Sequence, residues 1–331
     1  MFARYICQED EEETAKKRLA FVSVRPDWMD NKGLLGYYNM LDEKYHATPV
    51  LELLLDAADD SERPYFVILD EMNLAKVEHY FSDFLSIMES RTHDNLAGET
   101  IRLHPLEMTE THDGRIIPGA IHIPANVFFA GTVNVDESTY MFSPKVLDRA
   151  NVIEFNEVDL DGYGQNFAPE RKPLVLRNAE VLNVFYQPGK KPFCSKEDYD
   201  ALPQEGKNII KELLTVLLQD NLHFGYRVAN EMARFINLAR EELADFSLDQ
   251  VMDVQILQKI LPKLHGTRAK LEDPLARLFA FCHVTHDDAA PEELLAKARS
   301  YDPEARFPRS AQKIARMMRQ LFLQGYASFI E

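Results

Sequence analysis

The sequence predicts an α/β protein in which a parallel β-sheet is followed by a mostly helical region. Two observations support this prediction. Short apolar runs closed by polar residues recur in the first half of the chain, and the clearest one, residues 66–69, runs directly into Asp70 and Glu71. From about residue 206 onward, apolar residues recur instead at the spacing of amphipathic helices.

The composition is that of a folded and acidic protein. Apolar residues make up 46% and charged residues 27% of the 331 residues, and the net charge is −17. Such a charge argues against a general surface for nucleic-acid phosphates, although it leaves room for a local basic patch. The three cysteines are far apart and form no CxxC pair, and no apolar run approaches the roughly 18 residues that span a membrane. We therefore expect a cytoplasmic protein without a membrane partner.

Four segments of the first half have the composition of β-strands. They are residues 19–24, 66–69, 126–134 and 151–155. The second of them is apolar throughout, which is typical of a strand buried on both faces. Because ligands bind at the carboxyl ends of the strands in open parallel sheets, we expect Asp70, Glu71 and the strand-terminating Asn134 at a ligand-binding edge.

Helices and a hairpin are predicted between these strands. Thr48 and Pro49 are a favourable N-cap and first position for a helix that extends to about residue 58. Residues 74–90 carry apolar side chains at helical spacing, which predicts one amphipathic helix. Residues 91–123 alternate weakly around a turn and predict a hairpin, and a short helix is expected over residues 143–149.

The second half divides into a connector and a helical region. We expect an α/β core over residues 1–156, a connector rich in proline and glycine over residues 157–205, and a helical lid and C-terminal region over residues 206–331. The helices of that region are predicted at residues 207–219, 227–245, 249–263, 270–282, 291–299 and 309–324. Residues 326–330 predict a short final strand.

Two readings of Asp70 and Glu71 follow from the residues themselves. In a site for nucleotide hydrolysis, Asp70 would hold Mg²⁺ and Glu71 would polarise a water molecule for attack on a phosphate. The alternative is a strand that ends in a solvated acidic turn. The local sequence does not separate these readings.

Four motifs, in order and spacing, resemble those of an AAA+ P-loop NTPase. Residues 69–73 (LDEMN) resemble its Walker B motif, and residues 131–134 (GTVN) resemble its sensor 1 strand. Residues 146–149 (VLDR) lie where the family has its arginine finger, and residues 224–228 (FGYRV) resemble sensor 2. Across roughly residues 1–240, the chain is most similar to the McrB-type subunits of methylcytosine-specific restriction systems and their dynein-related relatives.

The resemblance implies a role for each site residue. Asp70 would bind Mg²⁺ and contact the nucleotide, and Glu71 would be the catalytic base. Asn134 would bind the attacking water or the γ-phosphate. If the resemblance is set aside, the local sequence predicts only that Asn134 forms a turn at the end of its strand. Arg227 would contact the γ-phosphate, or else be a solvated residue at a helix start. Asn73 would place the water or bridge to a neighbour, or serve as a helix N-cap, and both can hold.

The expected oligomeric state depends on the role of Arg149. As an arginine finger it would act on the nucleotide of the next subunit, which implies a homo-oligomeric ring, hexameric in the family. The alternative is a cation that interacts with the C-terminal end of its own helix. The resemblance further implies ATP or GTP as substrate, a nuclease subunit of the McrC type as a possible partner, and an indirect connection with DNA.

The sequence lacks the phosphate-binding motif of this family. It contains no G-x-x-x-x-G-K-[ST] segment, which in P-loop proteins supplies most contacts to the phosphates. We therefore expect an N-terminally truncated NTPase whose sheet lacks the P-loop strand, or a split subunit that receives this strand from another chain. The chain by itself is expected to be inactive. The alternative function is a degenerate, non-hydrolysing subunit or scaffold that lends Arg149 to a neighbour.

Overall fold

A computed structural model of the chain describes residue 7 and residues 12–134 (without 93 and 96), 139–155, 160, 193–283 (without 244) and 305–330. The described residues form two compact units. One is formed by the described residues of Met1–Ser143 and Asn156–Phe193, and the other joins Pro144–Phe155 to the residues from Cys194 onward. Most of the predicted connector and the helix predicted at residues 291–299 lie outside the described residues.

The protein is a mixed α/β structure, as predicted. The helices and strands of the first unit are β1 (Leu19–Ser23), β2 (Tyr37–Asn39), β3 (Lys44–His46), β4 (Tyr65–Asp70), β5 (Ile101–Arg102), β6 (Met108–Glu110), β7 (Ile116–Pro118), β8 (Ala120–Ile121) and β9 (Val127–Gly131), with α1 (Glu12–Lys17), α2 (Lys32–Leu35), α3 (Pro49–Asp59), α4 (Val77–Tyr80) and α5 (Ser82–Ser90).

The first unit is organised around a three-stranded parallel sheet in the order β1-β4-β9. The central strand β4 pairs on one side so that Ser23 lies opposite Asp70, and on the other so that Leu69 lies opposite Gly131. Val67 on β4 is fully buried, as the apolar run predicts. Among the described strands, β9 pairs only with β4, and Ala130 and Gly131 at its end are exposed.

Helix α3 begins as predicted. The Thr48 side chain accepts a hydrogen bond from the Leu51 amide, and Pro49 occupies the first turn. The Thr48 hydroxyl also donates to the Leu34 carbonyl, which ties the helix start to α2. Leu51 and Leu54 of α3 are buried in the core of the unit.

The prediction of a single helix over residues 74–90 is wrong. A 3₁₀ turn at Met72–Leu74 is followed by two short helices, α4 and α5. Tertiary hydrogen bonds hold the backbone just before them: the Met72 amide donates to the Thr132 carbonyl, and the Tyr80 hydroxyl donates to the Met72 carbonyl at 2.8 Å. These bonds delay the start of regular helix, because they fix the backbone in a tight turn at the end of β4.

The predicted hairpin region contains two small antiparallel ladders. Strands β6 and β7 form a hairpin around the expected turn, where Gly114 has a φ of +85° that favours glycine. Strands β5 and β8, which precede and follow this hairpin in the chain, form the second antiparallel ladder. A further hairpin, β2–β3, lies between α2 and α3, where no strand is predicted.

The prediction of a strand at residues 151–155 is wrong. This segment is irregular and packs with the helical unit: the Val152 amide donates to the Gln258 carbonyl at 3.0 Å, and Lys313 Nζ lies 2.7 Å from Glu154 Oε1. A parallel strand needs a neighbouring strand to satisfy its backbone, and among the described residues none lies beside this segment. The predicted boundary at residue 156 stays a prediction, although Pro144–Phe155 belongs to the second unit.

The second unit is mostly helical, as predicted. Its elements are α6 (Pro144–Leu147), α7 (Lys196–Asp200), α8 (Gln204–Leu218), α9 (Tyr226–Glu242), α10 (Leu248–Gln255), a π-helical turn (Ile256–Ile260), a 3₁₀ turn (Leu261–Lys263), β10 (His265–Thr267), α11 (Arg268–His283), α12 (Pro308–Gln324) and β11 (Tyr326–Ser328). The predicted final strand is β11, and it pairs antiparallel with β10, which the sequence does not reveal.

The longest helices of this unit share one apolar core. Leu213, Met232, Leu275 and Ile314, from α8, α9, α11 and α12, are completely buried. The helix predicted over residues 249–263 is correct in place but changes its winding at Ile256, where the π-helical turn begins.

None of the helices within the described ranges is long and apolar enough to cross a membrane. None of the three cysteines takes part in a disulfide.

Candidate functional site

The carboxyl ends of β4 and β9 bring four predicted site residues together. We call Asp70, Glu71, Asn73 and Asn134, with Thr132, the acidic edge. The parallel register places the end of β4 next to the end of β9, and the backbone continues the pairing beyond them, since the Thr132 amide donates to the Leu69 carbonyl at 2.9 Å. The predicted meeting of Asp70, Glu71 and Asn134 is thus observed.

Thr132 connects the two carboxylate residues. Its hydroxyl donates to Asp70 Oδ1 at 2.7 Å and accepts from the Glu71 amide at 2.9 Å. This arrangement fixes the Asp70 side chain with one carboxylate oxygen occupied. It also orders the turn in which Glu71 lies.

Glu71 has an unfavourable backbone conformation. Its φ of 52° and ψ of 50° lie in the left-handed region, which costs a non-glycine residue about 1 kcal/mol. The conformation directs the chain into the 3₁₀ turn and leaves the Glu71 side chain partly exposed. Asn134 Nδ2 donates to Glu71 Oε1 at 2.9 Å, so the amide of Asn134 orients this carboxylate.

Asn73 does not cap a helix. Its side chain donates from Nδ2 to the Asn134 carbonyl at 2.8 Å, and α4 begins only at Val77 with Lys76 before it. Asn73 is 4% exposed, and its Oδ1 atom is buried without a hydrogen-bond partner in the described structure. Buried side-chain acceptors without a partner are uncommon in folded proteins.

Gly131 permits the close packing beneath the acidic edge. A Cβ atom at this position would lie 2.5 Å from Met72 Sδ and 3.1 Å from Met72 Cβ. Glycine therefore allows the turn after β4 to cover the end of β9. The Gly-Thr-Val-Asn sequence combines this requirement with the two polar side chains that contact Asp70 and Glu71.

Arg149 and Arg227 lie in the second unit, within a second group of charges. We call Arg149, Arg227, Lys259 and Lys263, with Asp148 and Glu231, the cation cluster. Arg227 Nη2 lies 3.5 Å from Asp148 Oδ2, and Arg227 Nε lies 3.9 Å from Glu231 Oε1. Lys263 Nζ approaches the other oxygen of Asp148 at 2.5 Å. Arg227 is therefore an ion-paired residue at the start of α9 rather than a solvated one.

Lys259 is the most deeply buried charge of the cluster. Its side chain has no exposed surface, and its ammonium group donates to Glu231 and, at 3.1 Å, to the Ala150 carbonyl. Burial lowers the pKa of Lys259, while Glu231 opposes that change. Lys259 lies in the π-helical turn, so this irregular winding delivers the lysine to the segment that carries Arg149.

Arg149 contacts its own helix. Its Nη1 atom donates to the Lys145 carbonyl at 2.5 Å, as expected for a cation at the C-terminal end of α6. Burial and the neighbouring Arg227 lower the pKa of Arg149, and Glu231 raises it. The alternative interpretation from the sequence therefore describes the contact observed, and it leaves the arginine-finger role as a prediction.

The acidic edge has the chemistry of a magnesium site. Mg²⁺ prefers oxygen ligands and is held by one or two carboxylates together with substrate oxygens. Asp70 and the Thr132 hydroxyl, which are hydrogen-bonded to each other, are oxygen donors of this type. The acidic edge carries no cationic side chain. It therefore does not provide the contact that the lysine of a P-loop makes with nucleotide phosphates.

Sequence reasoning missed several residues of both groups. Thr132 belongs to the GTVN motif, and its place two positions after the apolar residues 127–130 was the available signal. Asp148, Glu231, Lys259 and Lys263 are separated by long stretches of chain, and no local pattern identifies them. They become apparent only when the helices pack.

Comparison with known proteins gives one partial match in the second half of the chain. A domain of unknown function (DUF8727) matches residues 181–326. The matched region includes Arg227, Glu231, Lys259 and Lys263, whereas Arg149 and the acidic edge lie outside it. No curated protein matches the chain.

Proposed function

We propose that the protein is a subunit of an AAA+ type nucleoside triphosphatase, of the McrB-like group, that hydrolyses ATP or GTP in a homo-oligomeric ring. The observation that carries the proposal is the acidic edge: two consecutive carboxylates at the end of a central parallel strand, each hydrogen-bonded by a side chain from the segment that follows the adjacent strand. A nuclease subunit of the McrC type and DNA are the partners that follow from the family resemblance.

Three features support assignment of separate tasks to the carboxylates. Asp70 is fixed by Thr132 and is suited to hold Mg²⁺, which supplies charge neutralisation at the phosphates when bound. Glu71 is partly exposed and oriented by Asn134, so it is placed to accept a proton from an attacking water. Asn73 donates to the Asn134 carbonyl at 2.8 Å and so holds the segment that carries Asn134 beside Glu71.

The strained backbone of Glu71 is consistent with a catalytic task. A left-handed glutamate persists because the surrounding hydrogen bonds determine its conformation, and such residues concentrate at functional sites. The solvated acidic turn, the alternative for this stretch, requires neither the strain nor the contacts from Thr132 and Asn134.

The phosphates require a segment that residues 1–331 do not contain. On this proposal a glycine-rich loop with its lysine comes from an N-terminal extension or from another chain, and the polypeptide by itself hydrolyses nucleotide at a negligible rate. Robust turnover by residues 1–331 alone would contradict this reasoning.

The decisive test uses protein isolated from its native host through a C-terminal tag, so that accompanying segments and chains are retained. We expect Mg²⁺-dependent hydrolysis of ATP or GTP, and a loss of about 10²–10⁴-fold in kcat for Glu71→Gln. Glu62→Gln is the matched control, because Glu62 is exposed and precedes the opposite end of β4. Equal kcat values for wild type and Glu71→Gln would reject Glu71 as the base.

A second candidate function is a degenerate subunit that assists a neighbour without hydrolysing nucleotide, and the missing Walker A motif favours it. In that case Glu71→Gln leaves the activity of the assembly unchanged, whereas Arg149→Ala lowers it. If each subunit is instead active, mixing Arg149→Ala with Glu71→Gln subunits restores part of the activity, since some interfaces then combine an intact glutamate with an intact arginine.

A further inference from the structure

Two hairpins of the first unit bring two histidines and an aspartate together. Asp42 lies in the turn between β2 and β3, and His46 ends β3. His112 lies in the turn between β6 and β7. The hairpins also contact each other through an ion pair between Lys44 and Glu110. We call Asp42, His46 and His112 the two-hairpin triad.

The ligand atoms of the triad converge on one point. Asp42 Oδ2 lies 3.1 Å from His46 Nε2 and 3.2 Å from His112 Nε2. All three atoms lie within 4.8 Å of one another. Bonds of about 2.0–2.1 Å in a tetrahedral zinc site place ligand atoms about 3.3 Å apart, so the observed spacing needs only a small adjustment to admit an ion.

The structure orients two of these ligands before any ion binds. The Lys44 amide donates to Asp42 Oδ1 at 3.1 Å, which occupies one carboxylate oxygen and directs Oδ2 towards the histidines. The Tyr37 ring stacks on His46 with centroids 5.0 Å apart and an interplanar angle of 9°, which fixes the imidazole plane. Outer-shell contacts of this kind are the ones that position ligands in metal sites.

The donor set selects the class of ion. Two imidazole nitrogens and one carboxylate oxygen suit Zn²⁺ and neighbouring divalent transition metals, whereas Mg²⁺ and Ca²⁺ prefer oxygen ligands throughout. The His112 side chain is 63% exposed, so water can complete the coordination. This triad is separate from the acidic edge and requires nothing of the proposed hydrolysis.

We propose that Asp42, His46 and His112 bind a divalent transition-metal ion, with Zn²⁺ the best fit, and that the ion ties the β2–β3 hairpin to the β6–β7 hairpin. Binding links segments that are 66 residues apart in the chain, between His46 and His112. The consequence is a metal-dependent ordering of both hairpins.

The test is a titration of the chelator-treated full chain with Zn²⁺ by calorimetry. We expect one ion per chain, with affinity about tenfold or more weaker in His112→Ala and in Asp42→Asn. Asn retains an acceptor for the Lys44 amide, and His112 is exposed, so neither change removes core packing. His122→Ala is the matched control among the ten histidines, since His122 is exposed and lies outside the triad.

Hydrogen exchange then tests the tie between the hairpins. Zn²⁺ should slow exchange in residues 37–46 and 108–118 of wild type and His122→Ala, and not in His112→Ala. The proposal is overturned by the absence of saturable one-to-one binding, by equal affinity in all four proteins, or by a loss in only one of the two triad variants. Binding without slower exchange in both hairpins overturns the proposed tie.

Discussion

Removal of Glu231 should destabilise the helical unit more than removal of Lys259, although the two form one ion pair. Glu231→Gln leaves the ammonium of Lys259 without a counter-ion at a position with no exposed surface. Breaking a buried pair in this way costs about 3–5 kcal/mol. The Glu231 carboxylate, in contrast, is 24% exposed and has Arg227 within 3.9 Å, so Lys259→Met leaves a partly solvated and still paired charge. Its cost should be about 1–3 kcal/mol, mainly from the unpaired Ala150 carbonyl.

The assay is thermal unfolding of the full chain, followed through the helical signal in far-ultraviolet circular dichroism. For a unit of this size, about 2–4 °C accompany each kcal/mol, so Glu231→Gln should lower the Tm by roughly 6–20 °C. The double variant Glu231→Gln/Lys259→Met should recover about half of this loss, because it removes the buried ammonium group but leaves the Ala150 carbonyl without its donor. Glu212→Gln on the exposed face of α8 is the matched control and should change stability by less than about 0.5 kcal/mol.

The pH dependence gives a further check on the same pair. Burial lowers the pKa of Lys259 in the folded protein below its ordinary 10.5, and loss of Glu231 lowers this pKa further. Between the folded and unfolded pKa values, the unfolded chain binds more protons, so stability rises with pH. Glu231→Gln should therefore regain stability as the pH is raised towards 10.5. A smaller loss for Glu231→Gln than for Lys259→Met, or no recovery in the double variant, would refute the reasoning.

Three further predictions concern packing and helix caps. Gly131→Ala should lower the free energy of unfolding by about 1–3 kcal/mol in chemical denaturation, because the new Cβ would lie 2.5 Å from Met72 Sδ. The further change Met72→Ala should restore part of this loss. If the losses of the two variants are simply additive, the contact is not the cause. Thr48→Ala should cost about 1 kcal/mol through loss of the N-cap of α3, with Thr48→Ser near wild type; equal stabilities would contradict this. Asp253→Ala should cost about 2 kcal/mol, because Asp253 accepts from two amides in the first turn of α12, at 2.8 and 2.9 Å; an unchanged denaturation midpoint would argue against the cap.

The sequence predicts the parts of the fold that depend on local patterns. Residues 66–69 are apolar because β4 is central, and Thr48 with Pro49 determines the start of α3 through bonds within one turn. The polar residues after β4 and β9 were correctly expected at one edge, because strand direction and pairing in a parallel sheet follow from few alternatives. These features require no knowledge of distant contacts.

The errors arise where distant contacts override a local pattern. Residues 151–155 have the composition of a strand but have no strand to pair with in the described structure, and they pack against helices instead. Residues 74–90 have helical periodicity, yet the Met72 amide donates to the Thr132 carbonyl and the Met72 carbonyl accepts from the Tyr80 hydroxyl, and these bonds hold the backbone at Met72. The cation cluster and the two-hairpin triad join residues far apart in the chain, so no spacing rule could reveal them.

The exposed end of β9 has a practical consequence for work with the isolated chain. Within the part of the chain that the structure describes, β9 is an edge strand. Residues 126–133 contain no charged residue and no proline, the features by which natural proteins protect such a strand. Short, uncharged segments of high β-propensity are the ones that seed intermolecular pairing and precipitation. Concentrated preparations should therefore self-associate through this segment, and a lysine in place of the exposed Ala130 should improve solubility without entering the buried face of the sheet.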